Sequence, residues 1–112
     1  MRACIRRGAQ QIGGTCVELE SRGKRIVLDL GLPLDEEADP CLLPAVSGLV
    51  SPDESLLAVF ISHAHRDHYG LLACAKARPR VFIGEAAARM LEAASLFWPE
   101  TAGLGETEPL HD

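Results

Sequence analysis

No stretch of this sequence approaches the roughly 20 uninterrupted apolar residues that a membrane-spanning helix requires. The arginine-bearing start, MRACIRRG, has no apolar run behind it that would serve as a secretory signal. Both absences point to a soluble, cytoplasmic protein. Also missing is any C-x-x-C pair. Cys4, Cys16, Cys41 and Cys74 stand far apart, which argues against a small secreted disulfide scaffold and leaves buried free thiols as the expectation. There is no internal repeat and no low-complexity tract. No single sign of charge runs through the chain. The net charge is −5, yet Arg2, Arg6, Arg7, Arg22, Lys24 and Arg25 crowd the first 25 residues, while acids dominate from Asp35 to Glu54 and beyond Glu100. Charge alone therefore argues neither for nor against a nucleic-acid partner.

What is present is ordinary globular material: 112 residues, 47% apolar and 24% charged. That length suits one domain with one core, and the composition excludes disorder, collagen and coiled coil.

Residues Ala3 to Arg7 suit a short strand, and GAQQIGG, Gly8 to Gly14, a glycine-punctuated turn. In Thr15 to Glu20, TCVELE, Cys16 or Val17 and Leu19 alternate with polar neighbours as in a half-buried strand. Arg22 and Gly23 form the next turn, and Arg25 to Leu30, RIVLDL, reads as a buried strand closed by Gly31 and Pro33, so a hairpin is expected. Asp35 to Asp53, with Pro40, Pro44 and Pro52, reads as a long surface loop. Leu56 to Ser62, LLAVFIS, is a second β-type run, followed by a short helix at Leu71 to Ala77, a strand at Arg80 to Ile83, and a helix at Glu85 to Phe97. In that helix Met90, Leu91, Ala94 and Phe97 recur at helical spacing and are expected to face the core. Pro99 ends it, and the tail to Asp112 shows no clear element. A parallel crossover from the Leu56 strand to the Arg80 strand makes the fold class α/β, a mixed sheet with helices packed on one face.

The improbable part is ISHAHRDHYG, where three of the four histidines fall within six residues with an aspartate among them. His63 and His65 are two apart, so in extended backbone just past a strand their imidazoles leave on the same side and can meet one ion. Asp67 and His68 follow at a turn toward the next helix, which makes a second, neighbouring ion possible. Zinc favours imidazole nitrogen and carboxylate oxygen, and an open position holding water makes such a site catalytic. Water acidified toward hydroxide near neutral pH is a nucleophile, so the cluster points to metal-assisted hydrolysis.

SHAHRDHYG, Ser62 to Gly70, resembles the hallmark motif of the metallo-β-lactamase superfamily. By that resemblance His63 and His65 would bind a first zinc ion, and Asp67 and His68 a second, with Asp67 also orienting the catalytic water. Asp29, in LDLG, resembles the superfamily's earlier aspartate, which supports the metal-binding loop from behind the ligands. The implied fold is an αββα sandwich, of which this chain would be the amino-terminal half. Gly8 to Gly14 with TCVELE and RIVLDLGLPLD further resembles the opening of the ribonuclease J-like and cleavage-factor-like branch, whose members act on RNA or DNA phosphodiesters; this chain carries Gln11 where that branch commonly has an acid.

A complete member needs another histidine for the first metal, a bridging aspartate and a final histidine. After His68 the chain offers only His111 and Asp112. The expectation is therefore that residues 1–112 form a partial domain, stopping before the later ligands and needing the remainder to complete its site. Alone, such a chain should bind zinc weakly and turn over little. Arg66, Arg78 and Arg80 are candidates to meet phosphate near the metals. Alternatives to a nuclease-like hydrolase are a small-molecule hydrolase acting on thioesters, lactones or β-lactams, and a non-catalytic interaction module.

Overall fold

The tightest local constraint on the sheet is the turn at Arg22 and Gly23. In the computed structural model, which describes residues 1–8, 13–33, 42–94 and 108–110 and only the backbone of Arg66, Ala94 and Pro109, both turn residues have positive φ, 52° and 77°. Two such residues between paired strands are the signature of a hairpin turn whose twist matches its strands. The turn joins β2 (Cys16–Ser21) to β3 (Lys24–Leu28), with Ser21 opposite Lys24 and Val17 opposite Leu28. Strand β1 (Arg2–Arg7) pairs antiparallel to β2 on the outer side, with a bulge between Ile5 and Arg7.

Beyond β3 the sheet becomes parallel. Strand β4 (Leu56–Ile61) lies beside β3, β5 (Val81–Gly84) beside β4, and β6 (Glu108–Leu110) beside β5, giving the order β1-β2-β3-β4-β5-β6. The predicted hairpin and the predicted parallel crossover are both present. Strand β6 adds to what the sequence leads one to expect. It is three residues long and contains Pro109, and a proline is tolerated there because β6 pairs only with β5 among the described strands.

One face of this sheet carries the core. Val27, Val59 and Val81 are in register across β3, β4 and β5, and all three are buried together with Leu30, Leu71, Ile83 and Leu91. Helix α1 (Arg66–Tyr69), a 3-10 turn at Leu72–Cys74 and helix α2 (Glu85–Ala94) accompany the parallel strands. Among the described residues no helix is long and apolar enough to cross a membrane.

Several expectations are corrected by packing. The segment before β4 is more than surface loop: Val46 and Leu49 are buried in the core. Each such side chain removed from water contributes on the order of 1.5–3 kcal/mol, enough to tie the segment down. Residues 34–41, with Cys41, lie outside the described residues, as do 9–12, 95–107 and 111–112. The helix expected at Leu71 to Ala77 is only the 3-10 turn, which stops where Ala75 turns to extended backbone with φ −73° and ψ 93°. In α2, Leu91 is buried but Met90 is 59% exposed, with Ala87 and Ala88 packing on the core in its place. Among the described thiols only Cys16 is fully buried, pushed up to about 12 by desolvation; Cys4 and Cys74 are half-buried.

In β2 the inward residues are Cys16 and, unexpectedly, Glu18, 3% exposed. Glu18 is neutralised across strands by Arg6 at 3.2 Å and Arg25 at 3.3 Å, and Arg25 also reaches Asp53 at 3.1 Å. A carboxylate can lie this deep only when so paired. Its neighbours Val17 and Leu19 therefore point to the other face, which also carries Ile5 (61% exposed), Ile26, Leu28 and the stacked pair Phe60 and Phe82.

Candidate metal centre

The histidine cluster begins where β4 stops, at Ser62, as the sequence predicts. Three backbone contacts fix the turn that follows. The amides of His68 and Tyr69 donate to the His65 carbonyl at 2.9 and 3.2 Å, which winds α1, and the Leu30 amide donates to the His68 carbonyl at 2.9 Å, which ties α1 to the chain leaving β3. Tyr69, 6% exposed, anchors the helix in the core. The contact between the two segments is so close that a methyl group at Gly31 would collide with the Asp67 carbonyl oxygen and come within 2.9 Å of the Thr15 nitrogen.

Asp29 occupies the centre of this junction. Its φ of 61° is left-handed, a conformation that costs a non-glycine residue roughly 1–2 kcal/mol and that aspartate tolerates best when its carboxylate bonds locally. Here the carboxylate, 9% exposed, accepts three hydrogen bonds: from the Ser62 amide at 2.7 Å on Oδ1, and on Oδ2 from the Ser62 hydroxyl at 2.7 Å and from His68 Nδ1 at 2.9 Å. The His68 ring is thereby oriented with Nε2 directed away from its carboxylate partner, the arrangement in which a histidine serves as a metal ligand.

His68 Nε2 stands 3.4 Å from Asp67 Oδ2. That is long for a hydrogen bond, but two ligands held at about 2.0–2.1 Å on one tetrahedral zinc lie about 3.3 Å apart. The His63 ring is tilted against His68 with centroids 4.6 Å apart, and the rings of His63 and His65 are nearly parallel at 6.3 Å. His63 and His65 are exposed, so their free ring edges are open to an incoming ion. The donors pair off in this way without closing on one point: among the described residues no three His, Cys, Asp or Glu side chains are close enough to hold an ion. The donor types suit zinc, and one pair, Asp67 and His68, stands at ligand separation.

Two residues of the junction escape a reading of the sequence. Ser62 is the first residue of the motif, but its hydroxyl role depends on Asp29, 33 positions earlier. Gly31 reads as a strand terminator, and only the fold shows what it makes room for. The candidate phosphate contacts fare differently. Arg78 and Arg80 precede β5, which runs parallel to β4, so they lie at the end of the sheet opposite the motif. Arg80 is moreover held by both carboxylate oxygens of Glu108 at 2.9 Å and lies over the Phe82 ring. Of Arg66 only the backbone is described, and His111 and Asp112 lie outside the described residues.

No family model matches the chain. Over 65 residues it is 40% identical to an RNase J-like protein of Methanocaldococcus jannaschii, a stretch covering 58% of this chain and 13% of that one. Over 64 residues it is 45% identical to the cleavage and polyadenylation specificity factor 73 of Drosophila melanogaster, covering 56% of this chain and 9% of that one. These relatives are nucleases of the metallo-β-lactamase superfamily, the family whose hallmark motif Ser62 to Gly70 resembles. Within that superfamily they belong to the ribonuclease J-like and cleavage-factor-like branch, nuclease-type hydrolases at the level of the family. A solved protein of unknown function from Enterococcus faecalis shares the fold, with a TM-score of 0.77 at 20% identity over 98% of this chain and 33% of that one. The chain thus spans well under a sixth of these two curated relatives and a third of the solved chain.

Proposed function

We propose that this chain is the amino-terminal part of a metal-dependent nuclease, in which His63 and His65 bind one zinc ion, Asp67 and His68 a second, and Asp29 braces the loop that carries them. The observation that carries this reading is the 3.4 Å separation of His68 Nε2 and Asp67 Oδ2 at the end of β4, with His68 Nδ1 already committed to Asp29. Bound zinc supplies Lewis acidity that activates water for attack on a phosphodiester. Orientation comes from the chain's own residues. Asp29 and the Ser62 backbone fix the ring of His68, and α1 presents Asp67 beside it, where its second carboxylate oxygen can accept a hydrogen bond from the attacking water and orient it.

RNA is the preferred substrate class because two relatives similar to this chain carry an RNase name. Completion of the site requires donors this chain lacks, and the reading assigns them to the remainder of the metallo-β-lactamase domain. The apolar face of Ile5, Leu28 and Leu57, 61%, 36% and 48% exposed, favours it, since an uncovered sheet face of this kind calls for a second layer. Alone, the chain should bind zinc weakly and hydrolyse little.

The test is hydrolysis of a defined single-stranded RNA by the complete gene product. The expected result is cleavage that is lost on chelation, restored by zinc and abolished in Asp67→Ala. Intact RNA combined with efficient hydrolysis of a thioester or β-lactam would transfer the chain to the small-molecule hydrolases.

A further inference from the structure

We propose that the Ser62 hydroxyl is a positioning residue that sets the tautomer of His63, holding the proton on Nδ1 so that Nε2 is left as the metal-facing lone pair; the metal part of this rests on the function proposed above. Ser62 Oγ lies 2.7 Å from Asp29 Oδ2 and 2.9 Å from His63 Nδ1. A carboxylate has only acceptors to offer, so the single hydroxyl proton is donated to Asp29. With its proton committed, Ser62 Oγ faces His63 Nδ1 as an acceptor, and that contact is favourable only if Nδ1 carries the hydrogen. Nε2 of a neutral ring is then unprotonated, the state in which imidazole ligates zinc.

One carboxylate thereby orders two rings. Asp29 takes the His68 Nδ1 proton directly at 2.9 Å and governs His63 through the serine. Ser62 Oγ also lies 3.3 Å from His68 Nδ1, so the hydroxyl sits between the two imidazoles whose ring centroids are 4.6 Å apart. A serine here is thus more than a small residue at a strand end. Because Ser62 is exposed and its amide hydrogen bond to Asp29 Oδ1 is independent of the side chain, removing the hydroxyl leaves the backbone junction intact.

The assay is long-range nitrogen-15 NMR of the histidine rings in the metal-free chain at about pH 8, above the ordinary imidazole value of about 6.5, with zinc affinity measured in parallel by competition with a chromophoric chelator. In the wild type the His63 Nδ1 resonance should take the protonated position. Ser62→Ala should move it toward the exchange average of both tautomers and weaken zinc about tenfold, as loss of a ligand-orienting partner does. Ser62→Thr, which keeps the hydroxyl, should restore both. An unchanged His63 signal in Ser62→Ala, or a wild-type His63 protonated on Nε2, overturns the assignment. Tautomers that follow Ser62 in a chain that takes up no zinc uphold it while removing the metal-site reading, so the two failures are distinguishable.

Discussion

Replacing Gly31 with alanine tests whether the close approach of β3's exit to α1 builds the site. Gly31 has no positive φ, so alanine is conformationally allowed and any cost is steric. The added methyl would overlap the Asp67 carbonyl oxygen and lie 2.6 Å from its carbon, so the peptide must retreat by more than the roughly 0.8 Å that would bring the carbon alone to ordinary contact at 3.4 Å. It cannot swing aside as a side chain would, because the blocking atoms are backbone. Overpacking of this kind costs about 1–3 kcal/mol. Separating the segments also strains the hydrogen bonds from Leu30 to His68 and from Leu71 to Leu30, each worth about 0.5–1.5 kcal/mol. The expected loss is therefore about 2–6 kcal/mol, read by urea unfolding monitored by circular dichroism. The His63, His65 and His68 resonances should shift with it. Gly84→Ala is the control, since nothing lies within 4 Å of the methyl it adds; it should fall within about 0.5 kcal/mol of wild type. A Gly31→Ala chain as stable as that control, with unmoved histidine resonances, would refute the packing argument.

Two further outcomes follow from the electrostatics. Burial holds the Cys16 thiol up at about 12, so under native conditions at pH 8 it should resist iodoacetamide while the half-buried Cys4 and Cys74 react; mass spectrometry of the digested protein locates the label, and early modification of Cys16 would contradict its burial. Asp53 is lowered to about 2, chiefly by a hydrogen bond from Ser47, then by the amide and hydroxyl of Ser55, with Arg25 adding attraction. Its folded value lies below the ordinary 3.8, so its contribution is complete above about pH 4 and is lost as pH falls toward 2. Asp53→Asn should flatten the fall of stability across that window, and an unchanged acid slope in chemical denaturation would count against the anchor.

Local chemistry explains which features could be read directly from the sequence. The hairpin was legible because Arg22 and Gly23 punctuate two β-type runs, and the motif's place at a strand end was legible because bulky residues stop at Ile61 where histidines begin. Glu18 was not, since a buried carboxylate is intelligible only with cations supplied by β1 and β3. The helix expected after Gly70 is shorter than its sequence suggests, since the helix-forming preference of LLACAKA ends at Ala75, which takes extended backbone. At the site, spacing identified His63, His65, Asp67 and His68 as a group, and Asp29 by resemblance. The Ser62 relay and the room left by Gly31 depend on contacts between segments more than thirty residues apart, to which no sequence window has access.

The central claim, that the imidazoles after β4 are poised to hold divalent metal, is tested most directly by titrating zinc into the nitrogen-15-labelled chain and following the histidine ring nitrogens. The account predicts coordination shifts at the Nε2 atoms of His63 and His68 and at a ring nitrogen of His65, weakened together in Asp29→Ala. Zinc uptake that leaves those three rings unshifted, or that is unchanged in a His63→Ala, His68→Ala double variant, would contradict it.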